Sequence, residues 1–164
     1  MREEIKIFVT GGTFDKHYDE IHGKLSFSKT HVRQVLKTGR CRLDIDIQTL
    51  LLKDSLDFTD EDRNAVADAC EAAKEKRIVV THGTDTMSET AECVAKKVRN
   101  KTVVLTGAMI PFAFGSSDGL FNLGSALAFV QTLPPGVYLA MNGRVFEAGR
   151  IKKDRKAGVF VQET

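Results

Sequence analysis

Three apolar runs of strand type end in threonine and glycine, and this repeated ending constrains the fold more than any other feature. Ile5 to Val9 runs into Thr10-Gly11-Gly12-Thr13. Ile78 to Val80 runs into Thr81-His82-Gly83-Thr84-Asp85-Thr86, and Val103 to Leu105 into Thr106-Gly107-Ala108-Met109. Uninterrupted apolar runs fit strands buried on both faces, as in parallel sheets covered by helices. The segments between them supply those helices. His31 to Lys37 places Val32, Val35 and Leu36 on one side, with Gly39 as a stop signal. Thr59 to Lys76 opens on a cap residue and an acidic first turn, carries the stripe Val66, Ala69, Cys70 and Ala73, and closes on Lys74, Lys76 and Arg77. A helix from about Ser88 to Arg99 is striped by Met87, Ala91, Val94 and Val98. Asp118 is expected to cap a helix running through Leu120, Leu123, Leu127 and Val130.

Ile45 to Leu52 adds another strand, and Val137 to Met141 follows the break at Pro134-Pro135-Gly136. Strands separated by helices imply βαβ units and a doubly wound parallel α/β sheet. Five strands in the flavodoxin-like order 2-1-3-4-5 are the most economical arrangement, with the tail from Arg144 as a C-terminal hairpin. At 164 residues, 42% of them hydrophobic and 28% charged, the chain is expected to form one domain, residues 1–164. A net charge of +2 without a basic run gives no sign of a nucleic-acid partner, and Arg150 to Lys156 reads as a solvated segment for most of its side chains. No apolar stretch is long enough to span a membrane. The start Met1-Arg2-Glu3-Glu4 does not read as a signal peptide. Cys41, Cys70 and Cys93 form no C-x-x-C pair, so reduced thiols and a cytoplasmic location are expected.

In a doubly wound sheet ligands bind in a crevice outside the carboxyl ends of the strands. The Thr-Gly loops converge there, which suggests acyl chemistry on a threonine, whose hydroxyl needs a nearby base. Thr13, behind two glycines, either presents its hydroxyl or merely caps a tight turn. Thr84, Asp85 and Thr86 form a denser set: Asp85 either binds an ammonium or holds a lysine, or the set caps the helix that follows. His82 reads as structural first and as a general base second. The long stretches Phe14 to Thr30 and Met109 to Ser117 are either flaps over a polar ligand or plain surface loops. Phosphate-loop, dinucleotide, zinc and G-x-S-x-G motifs are all missing, so no metal or organic cofactor is expected.

Together with Ser117-Asp118-Gly119 and Asn122-Leu123, the three loops resemble the bacterial-type L-asparaginases in order and spacing. The resemblance covers the N-terminal domain of that family, and the chain stops where the C-terminal domain would begin. It is therefore similar to the short, single-domain asparaginase-like proteins. The resemblance implies hydrolysis of L-asparagine to L-aspartate and ammonia through an acyl-enzyme on Thr13. Thr84 would place the attacking water, and Asp85 would bind the substrate α-ammonium. Lys153 would be the active-site lysine, with Lys152 as rival if the alignment slips by one. Ser55 would bind the substrate carboxylate, and Tyr18 would be the flap tyrosine. Gly12, Gly83 and Ala108 would line the site, with backbone N–H groups near Thr13 and Ala108 as the oxyanion hole. Thr84, Lys153 and Asp85 would form a hydroxyl–amine–carboxylate chain with lysine in the place of a triad histidine. Burial favours the neutral amine and Asp85 the charged one, so the charge of Lys153 stays open. Phe14 stands where the family usually has isoleucine or valine, and Asp15 where it usually has a small residue. Alternatives are a glutamine or other small-amide hydrolase, a non-catalytic asparagine- or aspartate-binding domain, and a subunit of a larger complex. An exposed apolar face would favour a homodimer or homotetramer.

Overall fold

The computed structural model describes residues 3–164; Met1 and Arg2, part of the charged start, lie outside the described residues. In chain order the strands and helices are β1 (Ile5–Gly11), β2 (His17–Asp19), β3 (Lys24–Ser26), α1 (Val32–Thr38), β4 (Ile45–Lys53), α2 (Asp60–Ala72), β5 (Arg77–Thr81), α3 (Met87–Lys97), β6 (Thr102–Thr106), α4 (Gly119–Thr132), β7 (Gly136–Met141), β8 (Arg144–Glu147), β9 (Ile151–Asp154) and β10 (Val159–Gln162). Six strands form the main sheet in the order β4-β1-β5-β6-β7-β8. All neighbours are parallel except β8, which runs antiparallel to β7. Side chains on successive strand residues point to opposite faces. Ile5, Ile7 and Val9 accordingly pack with Val32, Val35, Leu123 and Val130 of α1 and α4. Phe8, Ile78 and Val80 pack with Val66, Cys70, Met87 and Val94 of α2 and α3 on the other face. The register sets Val9 beside Thr81 and Thr81 beside Thr106, so the strand ends are level where the loops depart.

The long stretch after β1 is structured. A 3-10 turn at Thr13–Asp15 leads into the antiparallel hairpin β2–β3. The tail forms the expected C-terminal hairpin and, ahead of it, one more strand. Asn142-Gly143, both at positive φ, close a two-residue hairpin that adds β8 to the main sheet. The separate C-terminal hairpin is β9–β10, which anchors Ile151 and Phe160 in the core.

Two helix ends differ from expectation. Thr59 caps α2 with a full capping box to Asp62, but α2 stops at Ala72, short of the expected Lys76. Its C-terminal carbonyls are taken by the buried Lys101 ammonium, which donates to Cys70 at 2.8 Å, to Glu71 at 2.6 Å and to Ala73. Lys74, expected to close the helix, pairs with Glu4 instead. Replacing Lys101 with methionine keeps the stem and strands these carbonyls. The expected loss is on the order of 3 kcal/mol in urea unfolding. A loss below about 0.5 kcal/mol, the level of an unremarkable surface change, would contradict this role. At α4, Asp118 occupies the cap position without a capping bond, and Leu120 turns outward while Leu123, Leu127 and Val130 are buried.

Candidate active site

Strand order places the crevice. β4 lies on one side of β1 and β5 on the other, so the carboxyl ends of β1 and β5 flank the switch point of the sheet. Thr13 follows β1 and Thr84 follows β5. Glycines bring these loops together. Gly12 sits at φ +77, and a Cβ there would lie 2.4 Å from Gly83 Cα. A Cβ on Gly83 would lie 2.5 Å from the Ser55 hydroxyl oxygen. No side chain fits at either position, so the Thr13 turn closes backbone to backbone on the Thr84 loop, which in turn sits against the Ser55 side chain.

Thr84, Asp85 and Lys153 meet. Lys153 Nζ donates to Thr84 Oγ1 at 2.7 Å and to Asp85 Oδ1 at 2.9 Å. Strand β9 turns the Lys153 side chain inward, 10% exposed, whereas Lys152 next to it faces solvent. Asp85 is 32% exposed on its side chain, and Arg155 Nε lies 3.9 Å from the same carboxylate oxygen. Both cations contact the same oxygen, Oδ1. The Thr84 hydroxyl makes only a weak 3.6 Å contact to Met109 Sδ as donor.

Thr86, expected as a cap, sits at the α3 cap position without capping it. Its hydroxyl donates to the Ser55 carbonyl at 2.8 Å, and its N–H reaches Ser55 Oγ at 3.3 Å. Ser55 is thus fixed beneath Gly83 and is 1% exposed. Ala108 is buried in the loop after β6. Asp118 shapes that loop: its carboxylate accepts from the Met109 and Ile110 N–H groups, each at 3.0 Å to one oxygen, and from Asn122 Nδ2 at 3.1 Å. Asn122 also donates to the Gly107 carbonyl at 2.9 Å. Reading Asp118 as a helix cap missed this. An acid at the cap with an asparagine one turn later was the available signal.

Tyr18 is not brought to the other site residues. It is 55% exposed on β2, with its hydroxyl toward Gly23 across the hairpin turn. His82 is fully buried and spent on structure. A carbonyl can only accept, so Nδ1 donates to Gly83 at 2.7 Å and Nε2 takes the Thr90 hydroxyl at 2.8 Å. Burial holds its pKa at about 4, against the opposing effect of the Gly83 carbonyl. No lone pair is left to act as a base.

Sequence reasoning gave no role to Asp15 or Lys16. Asp15 is buried two residues beyond Thr13; its Oδ1 accepts from the His31 N–H at 2.8 Å and the Thr30 hydroxyl at 3.0 Å, while Oδ2 has no partner. Burial raises its pKa from 3.8 to about 6, outweighing those two bonds. The folded protein then holds a proton that the unfolded chain has released. Its stabilising effect is complete below pH 3.8 and is lost as pH rises through about 6. Relative to Asp15→Asn, which does not titrate, the wild type is expected to lose on the order of 3 kcal/mol between about pH 4 and pH 7. Urea unfolding across that range measures the difference. A difference independent of pH would contradict the buried carboxyl. His82 acts in the opposite sense, favouring the fold as pH rises from about 4 to 6.5, and cancels because both proteins contain it.

Among the described residues no group of three or more His, Cys, Asp or Glu is arranged to hold a metal ion. Fold and crevice together define a doubly wound α/β domain with a threonine–lysine–carboxylate cluster at its switch point. Residues 4–159 match the family described as Asparaginase, N-terminal. The L-asparaginase of Thermococcus kodakarensis is 31% identical over 163 residues, covering 95% of this chain and 49% of that protein. L-asparaginase 1 of Escherichia coli K12 is 37% identical over 167 residues, covering 96% and 49%. The solved thermostable L-asparaginase from Thermococcus kodakarensis superposes with a TM-score of 0.86 at 30% identity, covering 97% of this chain and 51% of that one. L-asparaginase I from Vibrio cholerae gives 0.85 at 29% identity, covering 99% and 52%. The chain belongs to the asparaginase N-terminal family. It spans about half the length of the curated relatives it matches.

Proposed function

We propose that this chain is an amidohydrolase that converts L-asparagine and water to L-aspartate and ammonia. The observation that carries the reading is the bonded chain Thr84–Lys153–Asp85, held beside the Thr13 turn at the switch point of the sheet. The relatives named above, all L-asparaginases, supply the substrate class. In this reading the second oxygen of Asp85 receives the substrate ammonium, and Ser55 receives its carboxylate. The Thr13 hydroxyl attacks the side-chain amide carbon, and backbone N–H groups near Thr13 and Ala108 hold the oxyanion. Ammonia leaves with the proton passed to it. Water placed by Thr84 and Lys153 then cleaves the ester, returning the proton to Thr13. Residues 1–164 act as one asparaginase N-terminal-type domain.

Ammonia release by the purified chain, with L-asparagine and L-glutamine in parallel, tests the reading. Release from asparagine supports it, and the glutamine ratio sets the amide preference. No release at millimolar substrate contradicts it, and a melting temperature still raised by asparagine or aspartate would mark a binding domain instead. Ile110, Phe114 and Phe121, exposed at 43%, 52% and 61%, give an apolar surface that we propose is covered in a homodimer or homotetramer. The three unpaired cysteines fit a cytoplasmic location. No helix among the described residues is long and apolar enough to cross a membrane.

A further inference from the structure

Thr13 opens a turn in which every following residue is anchored to a different part of the molecule. Within the turn the Asp15 N–H donates to the Gly12 carbonyl at 3.1 Å and the Lys16 N–H to the Thr13 carbonyl at 3.2 Å. A third backbone bond, from the Gly12 N–H to the Lys53 carbonyl at 3.0 Å, ties the start of the turn to β4, and the residues after Thr13 are held by their side chains. Phe14 is fully buried and lies against Gly119 at the start of α4, where an added Cβ would come within 3.0 Å of its ring. Asp15 reaches in another direction, to the Thr30 hydroxyl and the His31 N–H ahead of α1. Lys16 reaches back across the crevice and donates to Asp54 Oδ2 at 2.5 Å. Asp54 in turn caps the Ser55 turn through the Leu56 N–H at 3.1 Å. The Lys16 ammonium also lies 5.9 Å over the Phe27 ring, just past β3.

We propose that Asp15 and Lys16 are positioning residues for Thr13: together they clamp its turn between the start of α1 and the Ser55 turn. The proposal rests on the reading of Thr13 as the nucleophile. The physical reason is that a short turn with two backbone bonds frays readily, whereas attack on an amide carbon tolerates little displacement of the hydroxyl. The core supports the turn through Phe14 alone. The Gly12–Lys53 bond and Phe14 fix the turn at its start, and the polar anchors on two further sides hold the residues beyond Thr13. Asp15 buried with one bare oxygen is a costly way to hold a surface turn. It gains a purpose if the rigidity is needed at Thr13. Lys16 links the nucleophile turn to the turn carrying Ser55, so the two move together.

The test compares Asp15→Ala, Asp15→Asn, Lys16→Met and Lys16→Arg with the wild type. Asparagine keeps an oxygen where Oδ1 accepts its two bonds, and arginine keeps the ion pair, so both should rescue. Asp15→Ala and Lys16→Met should lower kcat by about 10- to 100-fold with KM changed by less than about threefold. Lys16 is partly exposed and its loss opens no core cavity, so Lys16→Met decides the matter if Asp15→Ala fails to fold. A second readout does not need catalysis. Amide hydrogen exchange at Asp15 and Lys16 should lose protection in the alanine and methionine variants and keep it in the asparagine and arginine variants. Unchanged protection in Lys16→Met, or full kcat with protection lost, would overturn the proposal. If the wild type released no ammonia, the hydrolase reading would fall, and the exchange pattern would still decide whether the clamp exists.

Discussion

Thr13→Ala should abolish ammonia release, by about 10³-fold or more, while aspartate still raises the melting temperature of the variant. The two halves of this result have separate origins. Turnover is lost because the hydroxyl that forms the ester is gone, and no other group in the turn replaces it. Binding survives because nothing that shapes the crevice depends on that hydroxyl. The turn is set by Gly12 at φ +77 against Gly83, by buried Phe14, and by the bonds of Asp15 and Lys16. The groups read as binding the substrate's charged ends, Asp85 and Ser55, sit on other elements. Wild-type turnover by Thr13→Ala would remove Thr13 from the chemistry and leave Thr84 as the candidate nucleophile.

Lys153→Met should lower kcat by about 10²- to 10⁴-fold, the range for removal of a proton-transfer or electrostatic partner. Methionine keeps an apolar stem out to the ε position. What disappears is the ammonium bonded to Thr84 at 2.7 Å and to Asp85 at 2.9 Å. Thr84 is left with its weak contact to Met109. Asp85 is left with Arg155, 3.9 Å away, and loses the bond that fixes its carboxylate. KM should therefore rise along with the fall in kcat. The fold should survive, because Ile151 and Phe160, not Lys153, hold the β9–β10 hairpin in the core. Measured kcat and KM with a thermal melt separate these effects. A kcat within about tenfold of wild type would show that Lys153 orders the site without serving the reaction.

The parts of this account that were legible in the sequence are local ones. Parallel strands buried on both faces read as continuous apolar runs, and their Thr-Gly endings mark where the chain leaves the sheet. The stripes of α2 and α3 and the Thr59 cap depend on residues within one helix. What was not legible depends on residues distant in sequence. Lys101 ends α2 from about 30 positions downstream. Lys153 reaches Asp85 across 68 positions, a contact expected only through the family resemblance, and the inward face of β9 separates it from Lys152. Asp118 resembled a helix cap because its partners, Met109 and Ile110, come from the preceding loop. The Asn142-Gly143 turn was available to a closer reading, since that pair between apolar runs is a hairpin signal. Asp15 was noted only as a departure from the small residue usual in the family. Its burial is set by Thr30 and by the start of α1.

The most direct test of the central claim is to quench the wild-type protein with acid during turnover of L-asparagine and map its peptides by mass. The account predicts one added aspartyl group on the peptide containing Thr13, absent from Thr13→Ala and removed by mild base as an ester. Ammonia release with the aspartyl group on another residue, or with no modified peptide under conditions that trap a slow second step, would contradict a threonyl acyl-enzyme at Thr13.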